Sequence, residues 1–163
     1  MFGACPTAFV IMGFAAIIAA LLLNDISTNL TDPPTFTTVK VGPFPAKSKF
    51  LIPIAYPDIR SQAWKDFDFD TVFSACESVA RGADRWEVTL VDESSGRIEA
   101  VATTPSAGFK DDVAIRVSAS GKDKGKIVVD MRSVSRVGVG DVGTNARRIR
   151  AFMNDLRSFL KRS

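Results

Sequence analysis

The chain has 163 residues and a net charge of +3, with 46% hydrophobic and 24% charged residues. That suffices for one domain with a modest core, and it is too weakly basic for a dedicated nucleic-acid binder, so no nucleic-acid partner is expected. Histidine is absent and cysteine occurs only as Cys5 and Cys76, which removes the usual ligands of zinc, haem and iron–sulfur centres; no metal, cofactor or disulfide is expected.

Residues 2–23, FGACPTAFVIMGFAAIIAALLL, carry no charge. As a helix they would reach about 33 Å, enough to cross a bilayer core. No Lys or Arg precedes the run, unlike a cleaved secretory signal, so a single-pass transmembrane anchor over residues 1–23 is expected. Asp25 and Asp32 come before the next cation, Lys40. This flank favours an extracytoplasmic (periplasmic) placement of the globular domain.

Residues 24–61 form a Pro-rich extended arm with Pro33, Pro34, Pro43, Pro45, Pro53 and Pro57, six of the eight prolines. Such a density argues against a helix. Phe36, Phe44, Ile52 and Tyr56 argue for an ordered arm lying across the domain. A globular α+β domain is expected over 62–163. Apolar spacing predicts a helix over Asp68–Arg81, with Asp68 or Asp70 as cap and Gly82 at the stop. Strands are predicted at Trp86–Asp92, Arg97–Thr104, Asp112–Ser118 and Lys126–Val137, joined by short turns that favour an antiparallel meander. A last amphipathic helix runs from about Thr144 to Lys161. The expected fold is α+β: a four-stranded antiparallel sheet with two helices on one face, in the order α-β-β-β-β-α, preceded by the transmembrane helix.

Strand alternation divides the sheet into two faces. Trp86, Val88, Leu90, Ile98, Ala100, Ala102, Val113, Ile115, Val117, Ile127, Val129 and Met131 should meet the helices, and the alanines leave room for Phe152. Arg97, Glu99, Asp112, Arg116, Asp130, Arg132 and Arg136 should form the reverse face. That face is either solvated, with cross-strand pairs such as Asp130–Arg116, or a binding surface.

The stretch Asp130–Arg150 concentrates arginine, glycine and capping residues. Gly138–Gly143 is a literal GxGxxG, yet the chain ends one helix later, so the second strand of a dinucleotide fold cannot follow. A tight turn with Asp141 or Thr144 capping the helix is the plainer account. Arg132, Arg136, Arg147 and Arg148 either converge near that helix start as an anion site or pair with Asp112, Asp130 and Asp141 as a structural network. Asp111 and Asp112 point to opposite faces, which weakens a carboxylate pair with Glu99. The sequon Asn29-Leu30-Thr31 matters only in a eukaryotic secretory pathway.

The strings ISTNLTDPPTF, GRIEAVATT, FKDDVAIRV and DMRSVSRVGVGDVGTNARRIRAF occur in this order. Together they resemble the domain-of-unknown-function 1499 (DUF1499) family over roughly Ile26 to Leu160. The resemblance implies that Glu99, Asp111, Asp112, Arg116, Arg132, Ser133, Ser135, Arg136, Asp141, Asn145 and Arg148 fall on family motif positions, without implying roles for them. Gly140 departs from the family pattern, where Arg, Lys or Ser is more usual.

Three functions compete. The first is a membrane-anchored, non-enzymatic interaction or assembly domain, whose partners are the membrane and another membrane or extracytoplasmic protein. The second is a small-anion or ligand-binding domain using Arg132, Arg136 and Gly138–Asn145. The third is a carboxylate-dependent hydrolase using Glu99 and Asp112. The candidate binding or structural polar cluster is Glu99, Asp112, Arg116, Asp130, Arg132, Arg136, Asp141, Asn145, Arg147 and Arg148, with no catalytic residue assigned.

Overall fold

The computed structural model describes residues 16–105, 107–121, 125–138 and 140–162. Among them, helices α1 (Ala46–Ala55), α2 (Phe69–Gly82) and α3 (Thr144–Leu160) accompany strands β1 (Asp25–Ser27), β2 (Gln62–Trp64), β3 (Trp86–Asp92), β4 (Arg97–Thr103), β5 (Lys110–Ala119) and β6 (Ile127–Ser135). All strand pairs are antiparallel. The order is β1-β6-β5-β4-β3, with β2 also on β6. The β3–β6 meander therefore stands as expected from sequence, but the sheet has six strands, not four. β1 and β2 lie end to end along the free edge of β6, against Arg132–Val134 and Ile127–Val129. At three residues each they are too short for alternation to mark them.

Two further expectations fail. The proline-rich arm does contain a helix: α1 begins after Pro45 and runs through Pro53. Pro45 sits at the N-cap, where no helical N–H is needed, and Pro53 lies in the last turn, two residues from the end. Burial of Ile52 and Tyr56 in the main core anchors it. The transmembrane helix expected over 1–23 is not supported either. Residues 1–15 lie outside the described residues, and among those described no helix is long and apolar enough to cross a membrane. Residues 16–21 are helical; the chain then turns into the domain. Ala19 and Leu23 are buried, and the Leu23 carbonyl accepts from the Asp141 N–H at 3.0 Å. Leu23 thus joins the protein core, while Ile17, Ile18, Leu21 and Leu22 remain exposed; hydropathy alone does not distinguish burial in protein from burial in lipid.

α2 and α3 cover the apolar sheet face. Val72, Phe73, Cys76 and Ala80 from α2 and Ile149, Phe152, Met153 and Leu156 from α3 join Ile98, Val113, Ile115, Val129 and Met131 in one core. Asp68 caps α2 by accepting from the Thr71 N–H at 2.8 Å. Phe152 stacks on Trp86, with ring centroids 5.9 Å apart and planes 7° apart, in the space left by Ala102, the cross-strand partner of Trp86. Cys76 is buried, and that burial raises its thiol pKa far above the usual range; Cys5 lies outside the described residues. One inward residue was misassigned from sequence. The β3–β4 register shifts between Val88 and Leu90, so Leu90 opposes Glu99 while Val91 opposes Ile98 and packs on the core. A single extra residue flips every later side chain to the other face.

The β3–β4 hairpin closes at Gly96, whose φ is +65° and whose added Cβ would meet the Val117 carbonyl oxygen at 2.1 Å. Gly96→Ala should therefore cost about 2 kcal/mol or more, combining left-handed strain with a backbone clash, as read by urea unfolding.

Candidate functional site

The charged sheet face is covered. Arg132, only 3% exposed, donates two hydrogen bonds to Asp25, at 2.9 and 2.7 Å, and one to the Gly42 carbonyl at 3.2 Å. Its guanidinium lies 5.4 Å from the Phe36 ring centroid and 5.3 Å from that of Phe44, so two arm aromatics flank it. Burial pushes the Asp25 carboxyl above its ordinary range, against the pull of Arg132. Such a pair specifies geometry more than it stabilises. Glu99, 1% exposed, accepts from the N–H and hydroxyl of Thr37 at 2.6 and 2.7 Å, from the Thr38 N–H at 2.9 Å, and from the Thr38 hydroxyl. Burial pushes its carboxyl up, but these hydrogen bonds outweigh that and hold it below the usual value of 4.5.

Asp130 gathers Arg116 Nη2 at 2.8 Å, Asn29 Nδ2 at 3.2 Å, Thr28 Oγ1 at 3.4 Å and the Ser61 hydroxyl. Arg116 reaches on to the Asp32 carboxylate at 2.9 Å. The expected Asp130–Arg116 pair is present, and the sequon side chain of Asn29 serves as an arm contact. Arg136 holds Asp112 at 2.7 Å. Residues 24–45 thus clasp the sheet through ions and threonines.

A second polar group lies on the opposite, helix-bearing face, because Asp111, Ser133 and Ser135 alternate with the residues above. Arg148 donates to Asp111 at 2.6 Å and to Ser133 at 2.9 Å. Asn145, fully buried, accepts from the Ser133 hydroxyl at 2.6 Å and donates to Ser135 at 2.9 Å and to the Asn24 carbonyl at 3.1 Å. Asp141 accepts from the Gly143 N–H at 2.8 Å and the Asn145 N–H at 2.7 Å. Residues 140–143 of the GxGxxG string accordingly form a turn into α3 held by the Asp141 side chain. Burial raises the Asp141 carboxyl pKa despite these donors, and nearby Asp111 adds to the rise.

Two clefts open beside this turn. One, of about 410 Å³, lies between the β4–β5 connection and the loop after β6; Phe109, Val137 and Val142 stand at its rim and Asp111, Ser135 and Asp141 below. Val142 has φ +51°, a rare conformation for a β-branched residue. The other, of about 390 Å³, lies between the α2–β3 turn and the first turn of α3, beside Arg85, Trp86, Arg147 and Arg148.

A family model described as "Protein of unknown function (DUF1499)" matches residues 25–156. The chain belongs to the DUF1499 family. The DUF1499 match begins at Asp25, the arm's ion-pair partner for Arg132, and includes the clasp, both clefts and most of α3. No curated protein matches the chain.

The ten candidate residues do not form one site in the DUF1499 domain. Glu99, Arg116, Asp130 and Arg132 join the arm clasp, Asp112 and Arg136 pair with each other on the same sheet face, and Asp141, Asn145 and Arg148 organise the start of α3. Among the described residues, Arg147 bonds only the Val142 carbonyl at 3.0 Å and Thr144 Oγ1 at 3.0 Å. The four arginines thus do not converge on the helix start, and neither Glu99 nor Asp112 lines either cleft. Sequence reasoning missed Phe109, Val142 and Arg85. Exposed apolar residues in a loop are the only signal the first two left, and Arg85 left none.

Arg132→Ala leaves Asp25 buried without its partner, and Arg148→Ala does the same to Asp111; each should cost about 3–5 kcal/mol in chemical denaturation. Because Glu99 has a depressed folded-state pKa, its contribution is complete above 4.5 and is lost as pH falls through the lower folded value. Glu99→Gln should therefore be less stable than wild type by about 2–3 kcal/mol at pH 7. The difference should shrink as urea titrations move below pH 4.5.

Proposed function

We propose that this DUF1499 domain is a non-enzymatic binding module for a small amphiphile, held in the cleft between the β4–β5 connection and the loop after β6. The observation that carries this is the cleft's composition: about 410 Å³ with apolar residues at the rim and carboxylates below. That volume lies within the range of small-molecule sites, roughly 300–1,000 Å³. Phe109, Val137 and Val142 are 55%, 66% and 69% exposed, which leaves apolar surface for a ligand body. Arg148 already neutralises Asp111, whereas Asp141 meets two backbone N–H groups and no cation among the described residues; a carboxylate accepts and does not donate, so the ligand's polar end must supply N–H or O–H groups, as an ammonium or a hydroxyl does.

The strain of holding Val142 at φ +51°, of order 1–3 kcal/mol, supports a role for its exposed side chain at the rim. Support moves away from a docking role for the charged sheet face, because the arm occupies that face. It moves away from hydrolysis as well, since Thr37 and Thr38 bind both oxygens of Glu99 and Arg136 binds both oxygens of Asp112.

Decylammonium should bind saturably and raise the melting temperature, whereas decanoate should not. Ala107→Trp, placed on an exposed residue of the cleft wall, should abolish the response without lowering the melting temperature of the free protein. Equal binding of decanoate, or an unchanged response in Ala107→Trp, overturns the proposal.

A further inference from the structure

We infer that the second cleft, between the α2–β3 turn and the first turn of α3, binds an oxyanion of the phosphate class. Arg85, Arg147 and Arg148 line it, against one acid, Asp84. Asp84 is a weak competitor: its side chain is 90% exposed, and it holds only the Nε of Arg85, at 3.2 Å, a pair that solvent screens. The two terminal amino groups of Arg85 have no partner among the described residues. Arg147 meets a carbonyl and a hydroxyl but no carboxylate among the described residues. Arg148 is 9% exposed and already neutralised by Asp111, so it forms a fixed wall and is not the ligand's counter-ion.

Two hydroxyls of the cleft are already engaged as acceptors. Thr104 Oγ1 accepts from the Phe109 N–H at 2.9 Å, and Thr144 Oγ1 accepts from Arg147 Nη2 at 3.0 Å. Each oxygen is engaged as an acceptor, which leaves its hydrogen to donate. Two guanidinium groups and two hydroxyl donors from different elements suit an anion with several acceptor oxygens. Trp86, locked by its stack on Phe152, gives the cleft a rigid wall. The conformation of Arg85 agrees: it sits at φ +60°, where glycine is the unstrained choice, and its carbonyl is tied to the Thr103 N–H at 2.9 Å. An arginine kept at a glycine-favouring position presents its side chain at a backbone cost.

Inorganic phosphate titrated into the full chain at fixed ionic strength, with chloride as the reference, should bind saturably by calorimetry. Arg147→Ala and Arg85→Gly should each weaken binding about tenfold or more, as expected for losing a charge-assisted contact. Arg85→Gly keeps the test clear of folding effects: glycine relieves the positive φ, so its melting temperature should equal or exceed that of wild type. A second arm separates two sources of the same chemistry. Binding to phosphatidylglycerol vesicles but not phosphatidylcholine vesicles, competed by phosphate, assigns a lipid headgroup; phosphate binding without vesicle binding assigns a free phosphorylated solute. Absence of saturable binding to both phosphate and phosphatidylglycerol overturns the inference, as does full phosphate binding by Arg85→Gly and Arg147→Ala. Decylammonium binding in the neighbouring cleft is read separately, so either proposal can fail without the other.

Discussion

The guanidinium of Arg132 is the point on which the architecture turns. It stands on β6, between the short edge strand β1 and β5, on the side away from the two large helices, and would be an ordinary wet arginine if nothing covered it. The arm closes over it with one carboxylate, one carbonyl and two aromatic rings. Once Arg132 is buried, its neighbours need partners too, because an ion taken out of water without compensation is costly. Thr37 and Thr38 on Glu99, and Thr28, Asn29 and Ser61 around Asp130, meet that need. The sheet consequently has two interiors, one of hydrocarbon under α2 and α3 and one of ions under the arm.

This division explains what could be read from the chain. β4, β5 and β6 are seven to ten residues long, and alternation over that length assigns each side chain to a face. The apolar set Ile98, Ile115 and Val129 and the charged set Glu99, Asp130 and Arg132 were therefore legible. What lies on the charged face was not, since periodicity records the direction of a side chain and says nothing of its cover. β1 and β2 escaped notice because three-residue strands carry no period. Leu90 was misplaced because a bulge has no compositional mark in WEVTLVD. Arg85 acquires its position from a positive φ and from an opposing element some sixty residues later, neither of which is visible locally.

The two clefts share an end of the molecule for a topological reason. β3 begins, β4 ends, β5 begins, β6 ends and α3 begins there, so three connections meet around Thr104 and Thr144. Loops in such a place have few backbone partners and more freedom to vary, whereas the scaffold behind them is rigid. Their walls differ in sign. Carboxylates floor one and arginines line the other, and the buried Arg148–Asp111 pair contributes one member to each. That shared pair holds the two cavities in fixed relation.

The long separation between Asp25 and Arg132, 107 positions in sequence, bears on how the chain assembles. On a ribosome the arm emerges before β6, the strand it must pair with. Loop-closure entropy makes so distant a contact a late event. The surface that waits for it is ionic, so it stays hydrated and offers no greasy face to a neighbouring nascent chain. A hydrocarbon seam at the same place would leave every unfinished molecule sticky. An ionic seam thus leaves the unpaired face of the sheet wettable until the arm arrives.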